Sequence, residues 1–281
     1  MRFKYESYNL KTILITGTSG GLGKEIAFYF ANKNWKVIAT VLVIKEAEVF
    51  QSVSNISCYE LNVTSQESIE KAKQNILSNH KTIDVIVNNA GVGYRSFVEL
   101  SEDEKIDRIV DINWLGVVKM CRAFIPVFRE QKFGQFINIT SIAGLVNLPL
   151  GSFYHSTKKA VESFSECMSY ELMDFNISVC TVQFGNAPTN FQKNVVKSEK
   201  TDIKSYNSLM DTITCILNKK TAKNKNLMQD IVEKLYDVAE NPSKKFRRYT
   251  IGFDANLMHI IRKLLGYRLF NALIRWKVLK D

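Results

Sequence analysis

Six apolar runs rich in β-branched residues recur along the chain, and they constrain its fold more than any other feature of the sequence. They occupy residues 10–16, 36–43, 56–63, 82–91, 133–141 and 177–185, and a seventh candidate strand follows at 247–252. Nearly continuous apolar runs are typical of strands buried on both faces, as in parallel sheets. Helical patterns separate them at 65–79, 103–131 and 152–175, where Gly116 and Pro126 are expected to bend the middle helix. The alternation predicts an α/β fold, with a doubly wound parallel sheet of about seven strands and helices on both faces.

The length and composition favour one globular domain. The chain has 281 residues, of which 46% are hydrophobic and 23% charged, and no internal repeat or linker divides the sequence. We therefore expect a single domain over residues 1–281, large enough to bury a substantial core. No run approaches the roughly 18 uncharged apolar residues of a membrane-spanning helix, and the first residues lack the apolar stretch of a signal peptide. A cytoplasmic location is expected from these two features.

Cysteines, histidines and net charge narrow the range of partners. The five cysteines and three histidines are scattered, without a C-x-x-C pair, which favours reduced thiols and gives no support for a metal site. The net charge of +10 allows an anionic partner, such as a phosphorylated cofactor, a membrane surface or a nucleic acid. The basic residues concentrate late in the chain without a nucleic-acid-binding motif, so we expect solvated surface and no nucleic-acid partner.

A glycine-rich stretch, TGTSGGLG at 16–23, follows the first apolar run and precedes a helical pattern. Glycines allow close approach of the backbone, and a helix N-terminus offers free N–H groups and a partial positive charge to a pyrophosphate. The stretch therefore predicts a dinucleotide-binding loop, although a methyl-donor-binding enzyme would show a similar strand, loop and helix. The candidate cofactor-binding residues of this loop are Gly17, Ser19, Gly21, Leu22 and Gly23.

A phenol and an ammonium group stand four residues apart in YHSTK, which begins at Tyr154 and ends at Lys158. Residues at this spacing share one face of a helix. A free tyrosine has a pKa near 10, and a nearby ammonium group favours the phenolate and lowers that pKa. The pair therefore permits acid–base chemistry, but taken alone it is more often an ordinary helix surface. His155 lies on another part of the helix and is expected to be a surface or pocket-wall residue.

Three further motifs stand in a fixed order before that pair: NNAG at 88–91, Asn113 in DINWLG, and Ser141 in NITSIAG, thirteen residues before Tyr154. Together with the glycine-rich stretch and YHSTK, they resemble the short-chain dehydrogenase/reductase family over residues 12 to 189. The tail from Arg247 onward is more loosely similar to members that act on hydroxysteroids, retinoids and other lipid-like alcohols.

The resemblance implies a Rossmann-type fold and four catalytic residues. Tyr154 would be the general acid/base that protonates a carbonyl oxygen as hydride arrives, or deprotonates the alcohol in reverse. Lys158 would lower the pKa of Tyr154 and hydrogen-bond the nicotinamide ribose. Ser141 would position the substrate oxygen, and Asn113 would hold a water that links Lys158 to solvent. Each has a plainer structural alternative, such as a cap or turn for Ser141.

The resemblance also implies further contacts with an NAD or NADP cofactor. Besides the glycine-rich loop, Tyr154 and Lys158, the implied residues are Asn62, Val63, Asn89, Ala90, Gly91, Gly185 and Thr189. Two residues depart from the family pattern: Asn62 stands where aspartate is usual, and Phe184 replaces a proline. Near the end of the second apolar run stands Leu42, and no acidic residue there would repel a 2′-phosphate. Ser19 and Lys45 are available to bind such a phosphate. NADP(H) is therefore favoured over NAD(H).

Three expectations follow for the protein as a whole. The leading hypothesis is an NAD(P)-dependent oxidoreductase acting on a hydrophobic steroid-, retinoid- or acyl-like carbonyl or secondary alcohol. The alternative is a catalytically weak dinucleotide-binding regulator or scaffold of the same fold. The family resemblance also implies a homodimer or homotetramer, assembled through the helices that begin near residues 103 and 152.

Two late segments stand outside the regular alternation. Residues 190–241 are rich in Lys, Asn, Ser and Thr, and they are expected to form a substrate-binding insertion, because they follow the sixth strand at the edge where ligands bind. Residues 253–281 form a basic amphipathic segment. That segment either lies on a membrane surface as a peripheral contact or packs over the core with solvated Lys and Arg, the simpler interpretation.

Overall fold

A seven-stranded sheet forms the centre of the computed structural model, which describes residues 10–185, 187, 195–197, 201–223 and 226–278. The strands are β1 (Thr12–Ile15), β2 (Lys36–Val41), β3 (Ile56–Glu60), β4 (Val85–Asn88), β5 (Tyr94–Arg95), β6 (Gly134–Ile139), β7 (Ile177–Phe184), β8 (Val196–Lys197) and β9 (Arg247–Ile251). The large sheet has the order β3-β2-β1-β4-β6-β7-β9 with parallel pairing throughout, and β5 pairs with β8 in a small second sheet. The predicted doubly wound parallel sheet is confirmed.

Helices cover both faces of the sheet. They are α1 (Gly21–Asn32), α2 (Gln66–Asn79), α3 (Asp103–Val110), α4 (Gly116–Gln131), α5 (Ser152–Glu171), α6 (Lys204–Lys223), α7 (Leu227–Glu240) and α8 (Phe253–Val278). On one face, Phe30 of α1 and Leu235 of α7 belong to one apolar cluster with the strands. On the other face, α2, α4 and α5 pack in a second cluster, to which Phe124 contributes. The inner strands β1, β2, β4 and β6 are buried almost throughout because both faces are covered.

The order of the strands determines where a ligand can bind. The chain moves outward from β1 to β3 and then returns to continue on the other side of β1 with β4. In open parallel sheets, a crevice forms at the carboxyl ends of the strands where the direction of winding reverses. The segments that follow β1, β4, β6 and β7 all leave the sheet at this edge.

The predicted helix over 103–131 is interrupted directly before Gly116, one of the two positions where a bend is expected. A π-helical turn, Asp111–Leu115, separates α3 from α4, and Pro126 lies inside α4. At Gly116 a Cβ would lie 2.8 Å from Val63 Cγ2, so the glycine allows α4 to approach the loop after β3. A π-helical turn interrupts the regular hydrogen-bond pattern of an α-helix, and such turns occur frequently at functional sites.

The two late segments take different positions. Within 190–241, α6 lies over an apolar cluster that includes Ile213, whereas α7 packs into the main core beside α1, with Tyr236 against Phe30 at a ring distance of 5.5 Å. The second half of this segment is therefore part of the core layer.

In α8, the backbone departs from helical geometry at Gly266, which divides the helix into two helical pieces. Within the described ranges, no helix combines the length and apolar character that crossing a bilayer requires.

Candidate active site

A cavity of about 550 Å³ opens at the carboxyl edge of the sheet. It is bounded by the glycine-rich loop at one end and by α5 and α6 at the other. The sequence-predicted residues that line it are Gly17, Ser19, Gly21, Leu22, Gly23, Asn89, Ala90, Gly91, Ser141, Tyr154, Lys158 and Gly185. Asn62, Val63 and Asn113 are not among its lining residues, and Thr189 lies outside the described residues. The cavity therefore brings together the glycine-rich loop, which is the first motif in the chain, and the YHSTK motif, which is the last.

The glycine-rich loop has no room for side chains at two of its positions. A Cβ on Gly23 would lie 2.2 Å from the carbonyl oxygen of Gly17. Gly17 itself has φ of +70°, and a Cβ there would lie 2.9 Å from Ala90 Cα. Both positions require glycine for steric reasons, and one also for its left-handed backbone. The loop is consequently packed tightly against the segment that follows β4.

Residues of NNAG hold this loop in place. The side-chain amide of Asn89 donates to the carbonyl oxygens of Thr16 and Gly17, at 2.9 and 3.0 Å. In return, Thr16 Oγ1 accepts hydrogen bonds from the backbone N–H groups of Asn89 and Ala90, both at 3.0 Å. Because these bonds join the ends of β1 and β4, they fix the shape of the crevice before any ligand enters.

The first turn of α1 fits a pyrophosphate. The helix begins at Gly21, after a Gly20 N-cap that uses no side chain, and its first turn carries no acidic residue. Its free N–H groups and the positive end of the helix dipole therefore remain available to an anion in the cavity. Because the glycines of the loop carry no Cβ, they leave a cradle in which that anion can lie.

Ser141, Tyr154 and Lys158 form one wall of the cavity. Ser141 caps the short turn after β6, accepting a hydrogen bond from the Ala143 N–H at 3.2 Å, and it is also hydrogen-bonded to the phenol of Tyr154. The Lys158 ammonium donates to the carbonyl oxygen of Ile139 at 3.0 Å and lies 5.8 Å from the centre of the Tyr154 ring. The phenol, the hydroxyl and the ammonium therefore meet at the end of β6.

Burial and charge act on these groups in opposite directions. Burial raises the pKa of Tyr154 to about 12, against lowering contributions from the Ser141 hydrogen bond and the Arg95 guanidinium. Burial lowers the pKa of Lys158 to about 8, and the Glu162 carboxylate opposes that change. Of the nearby cations, Arg95 lowers the pKa of Tyr154, whereas the Lys158 ammonium is directed to a backbone carbonyl; the expected effect of Lys158 on Tyr154 stays a prediction.

Glu162 lies one turn after Lys158 on α5, and its carboxylate favours the charged form of that lysine. Its buried carboxylate accepts a hydrogen bond from Thr140 Oγ1, a second from Thr181 Oγ1 at 2.9 Å, and an ion-paired one from Arg248 Nε at 3.1 Å. The carboxylate thereby connects α5 with β7 and β9. A buried carboxylate with these partners can balance the charge of a buried lysine.

Asn113 lies behind the cavity wall, within the π-helical turn. It is fully buried, its Oδ1 accepts from the Val92 N–H at 2.8 Å, and its Nδ2 donates to the Val92 carbonyl at 2.9 Å. A Cβ on Gly91 would lie 3.3 Å from Asn113 Oδ1 and 3.7 Å from Lys158 Nζ. Asn113 therefore fixes the backbone segment against which Lys158 is packed, and the proposed water relay stays a prediction.

Three of the remaining predicted residues have local roles. The Asn62 oxygen accepts hydrogen bonds from the N–H and hydroxyl of Thr64, at 3.0 and 2.9 Å, so it shapes the turn after β3. Phe184 ends β7, and its carbonyl accepts a hydrogen bond from Ser141 at 3.3 Å. His155 lies in the cavity wall, with Nδ1 at 2.7 Å from the Val146 carbonyl, and burial lowers its pKa. Its contacts secure the loop between β6 and α5.

Sequence patterns missed two charged residues of the site. Glu162 follows Lys158 by four residues, a helical spacing that could have identified it. Arg95 lines the cavity from β5, four residues after the end of NNAG, and no motif distinguishes it. The apolar lining from α6, including Ile213 and Leu217, also had no specific signal.

Solved structures share the fold over most of the chain. A short-chain dehydrogenase from Streptomyces avermitilis superimposes with a TM-score of 0.80 at 23% identity, covering 96% of this chain and 97% of that one. A 3-ketoacyl-(acyl-carrier-protein) reductase from Brucella melitensis, complexed with NADH, gives 0.73 at 23% identity over 87% and 98%. ElxO with NADP bound gives 0.71 at 24% identity over 86% and 97%.

Sequence comparison identifies the family. A 3-ketodihydrosphingosine reductase of Bacteroides thetaiotaomicron is 35% identical over 189 residues, which span 67% of this chain and 68% of the relative. The family model described as short chain dehydrogenase matches residues 11–200, a range that contains every predicted catalytic residue. The chain belongs to the short-chain dehydrogenase family of oxidoreductases.

Proposed function

We propose that this dehydrogenase transfers a hydride between a nicotinamide dinucleotide and the carbonyl carbon of a hydrophobic ketone, or of the corresponding secondary alcohol in reverse. The observation that carries the proposal is the convergence of Ser141, Tyr154 and Lys158 on one wall of a cavity that ends at the glycine-rich loop. When bound, the nicotinamide supplies or accepts the hydride, and the protein contributes orientation and electrostatics.

The side chains divide the remaining work. The phenol of Tyr154 donates its proton to the substrate oxygen during reduction and takes a proton from the alcohol during oxidation. Ser141, already hydrogen-bonded to that phenol, holds the substrate oxygen. Lys158 binds the cofactor ribose through its ammonium group, and Asn113 keeps the segment beside it in place. This assignment uses Ser141, Tyr154 and Lys158 at the cavity wall and Asn113 behind it.

The substrate end of the cavity supports a lipid-like substrate. Its lining is largely apolar, with Ile142, Val146 and Leu148 from the loop after β6, and Ile213 and Leu217 from α6. Apolar walls with a few polar groups at one end are typical of sites for hydrophobic ligands. The relative named 3-ketodihydrosphingosine reductase points in the same direction. We therefore propose a steroid-, retinoid- or long-chain acyl-like ketone as the substrate class.

For the cofactor we propose NADPH over NADH. The residue that follows β2 is Leu42, an exposed apolar side chain, in a place where a carboxylate would repel a 2′-phosphate. The nearby carboxylates of Glu46 and Glu60 accept hydrogen bonds from the backbone N–H groups of Val43 and Ile44. Comparing the KM values for NADPH and NADH would test this choice, and a lower KM for NADH would contradict it.

Replacement of Tyr154 tests the catalytic proposal. Purified protein should reduce members of a hydrophobic ketone panel with NADPH, and Tyr154→Phe should lower kcat/KM by about 100-fold or more, since general acid catalysis contributes about that much. Cofactor binding, followed by fluorescence, should be retained. Tyr170→Phe is the matched control, because Tyr170 is an exposed tyrosine on the same helix.

Two outcomes would contradict the catalytic proposal. Undiminished turnover in Tyr154→Phe would remove the phenol from the mechanism. Cofactor binding without turnover on any panel member would instead favour a dinucleotide-binding regulator or scaffold.

A peripheral contact with an anionic membrane surface is part of the proposal. The outer face of α8 exposes large apolar side chains, such as Leu264 at 78% exposure and Leu269 at 61%, among the basic residues Arg262, Lys263 and Arg268. This mixture is typical of helices that lie at a lipid interface. Ile274 of α8 also packs beside the apolar cluster of α6, so the face lies close to the substrate end.

Vesicle binding tests this contact. The protein should co-sediment with vesicles that contain phosphatidylserine more than with purely zwitterionic vesicles, and Leu264→Ser with Leu269→Ser should weaken that binding. Leu77→Ser, an exposed leucine on α2, is the control. Equal binding by the parent and the α8 variant would end the proposal.

We further propose that the protein is a homodimer or homotetramer assembled through the helical segment of α3 and α4 and through α5. Near the carboxyl end of α5, Tyr170 and Met173 are exposed at 62% and 64%, a pair of large apolar groups that an interface would cover. Light scattering after size-exclusion chromatography measures the assembly directly. A monomer at micromolar concentration would contradict this part of the proposal.

A further inference from the structure

Arg95 occupies a place in the site that no motif assigns. It lies in β5, whose neighbouring residues are clamped against the beginning of α5. The ring of Tyr94 stacks on Phe153 at 5.8 Å, and the Ser96 N–H donates to the carbonyl oxygen of Leu150 at 3.1 Å. The side chain of Arg95 lines the cavity together with Tyr154, which directly follows Phe153 on α5. Two contacts therefore hold the β5 segment against the start of α5, and Arg95 lines the same cavity as the phenol.

The other cations near the phenol belong to a compensated cluster. Lys158 donates to a backbone carbonyl, and Glu162 lies one turn away on the same helix. Glu162 also pairs with Arg248, which in turn pairs with Glu166. Two positive and two negative charges thus stand together, and the net charge of this cluster is close to zero.

We propose that Arg95 is a positioning residue that stabilises negative charge on the phenolic oxygen of Tyr154 during turnover. The inference rests on the proposed function, in which Tyr154 becomes a phenolate when it gives its proton to the substrate oxygen. A guanidinium keeps its charge at every working pH, so its effect on the phenolate does not change as other groups titrate.

The electrostatics of the site agree with this geometry. Arg95 lowers the pKa of Tyr154 and of the adjacent His155, although burial dominates both values. The other titratable or charged groups that face the phenol are Lys158 and His155 on α5 and Asp254 of α8, which lines the same cavity. Burial keeps His155 neutral near pH 7 by lowering its pKa, so it adds no competing charge.

A fluorinated tyrosine at position 154 makes the effect measurable without turnover. Fluorine lowers the intrinsic pKa of the phenol into an accessible range, and ¹⁹F NMR then follows its titration in the cofactor-bound protein. Arg95→Met should raise this pKa by about one unit, since losing a cation that lines the same cavity, acting through partly screened protein, has roughly that effect. Arg95→Lys should restore most of the shift, because it keeps the charge.

Arg108→Met is the matched control. Arg108 is an exposed arginine that lines a neighbouring cavity beyond the 91–94 segment, so its loss removes the same charge at a different place. This variant should leave the titration at position 154 unchanged. Thermal unfolding of each variant identifies any that fails to fold.

Turnover supplies an independent second readout. In the oxidation direction below the pKa of Tyr154, kcat/KM should fall about tenfold in Arg95→Met, because one unit of pKa is tenfold in phenolate. Replacing Tyr154 with fluorotyrosine in Arg95→Met should restore the lost activity, because it lowers the pKa of the phenol. If the loss came from a structural defect, fluorotyrosine would not restore it.

An unchanged ¹⁹F titration in a folded Arg95→Met protein would overturn the role of Arg95, whether or not the enzyme turns over. Absence of oxidoreductase activity with the expected ¹⁹F shift would instead contradict the proposed function alone.

Discussion

The two ends of the cavity are built in different ways. At the nucleotide end, backbone atoms determine the shape: a Cβ on Gly23 would meet the Gly17 carbonyl at 2.2 Å, and Asn89 ties the loop through two hydrogen bonds. At the substrate end, α6 is held by side chains, among them Tyr206, whose ring stacks on Phe97 at 3.9 Å. One end depends on steric exclusion between backbones and the other on apolar contacts at the surface.

This difference explains how one fold can keep its cofactor chemistry while its substrate pocket varies. Backbone contacts at van der Waals distance admit hardly any alternative side chain, so the nucleotide end tolerates little change. Apolar side-chain contacts near the surface can be exchanged for others at modest cost in stability. Variants at the two ends should therefore differ in both stability and kinetics.

The largest effect is expected from Gly23→Ala at the nucleotide end. The added methyl group must displace either the Gly17 carbonyl or the Asn89 amide, so we expect a loss of about 3 kcal/mol in the free energy of unfolding and much weaker cofactor binding. Urea denaturation and cofactor titration measure the two effects. Gly20→Ala is the control for stability: no atom lies within 4 Å of its Cβ and its backbone is extended, so a change within about 0.5 kcal/mol is expected.

The nucleotide end was also the more predictable from sequence. Its strands are apolar runs between helical patterns, and all seven predicted strands are found in the sheet. Gly17 and Gly23 were identified because their chemistry is local, in a loop directly after a strand, whereas Asn89 was identified by its place in the family pattern. Ser141 and Tyr154 were identified by their positions in the family pattern, and the structure places both on the cavity.

What sequence could not supply depends on contacts between distant segments. The π-helical turn around Asn113 leaves no periodicity that differs from a regular helix, and the position of α7 beside α1 follows from packing of Tyr236 on Phe30. Arg95 faces Tyr154 only because β5 is clamped against α5. Such juxtapositions arise from the tertiary fold and have no signature in a single sequence.

Between the two ends, Lys158→Met separates stability from activity. Burial lowers the pKa of Lys158 to about 8, so holding the charged amine in the fold costs stability at neutral pH. We expect the variant to lose activity and to gain about 2 kcal/mol of stability at pH 7. Methionine has a similar volume and keeps the wall packed. A variant less stable than the parent at pH 7 would contradict the prediction.

The sign of the pH dependence follows from the same shift. The unfolded chain keeps the Lys158 proton up to its ordinary pKa of 10.5, whereas the folded protein releases it near 8. Between these values the unfolded state binds more protons, so the contribution of Lys158 to the free energy of unfolding rises with pH. The advantage of Lys158→Met should therefore be constant below pH 8 and disappear toward pH 10.5, as thermal unfolding across this range would reveal.

A smaller effect is expected at the substrate end from Tyr206→Ala. The change removes the stacking on Phe97 and the hydrogen bond to Glu99 at 3.0 Å, for a loss of about 1 kcal/mol in stability. The KM for a hydrophobic ketone should rise while the Kd for cofactor stays constant, because the α6 residues that line the cavity, Ile213 and Leu217, lie at its substrate end. Tyr206→Phe keeps the ring and should resemble the parent. Weaker cofactor binding in Tyr206→Ala would show that the two ends are coupled.

The smallest change in stability is expected on the outer face of α8. Leu264→Ser with Leu269→Ser replaces two side chains that are 78% and 61% exposed, so the free energy of unfolding should change by no more than about 0.5 kcal/mol. Urea denaturation of dilute and concentrated samples measures it. If the parent were markedly more stable than this variant, and more so at high concentration, a second copy of the chain would cover the face and the membrane proposal would fail. An unchanged stability together with weaker vesicle binding would instead support the membrane proposal. It would also show that side chains on this face, like those at the substrate end, can vary without affecting the nucleotide end, which is built from backbone atoms.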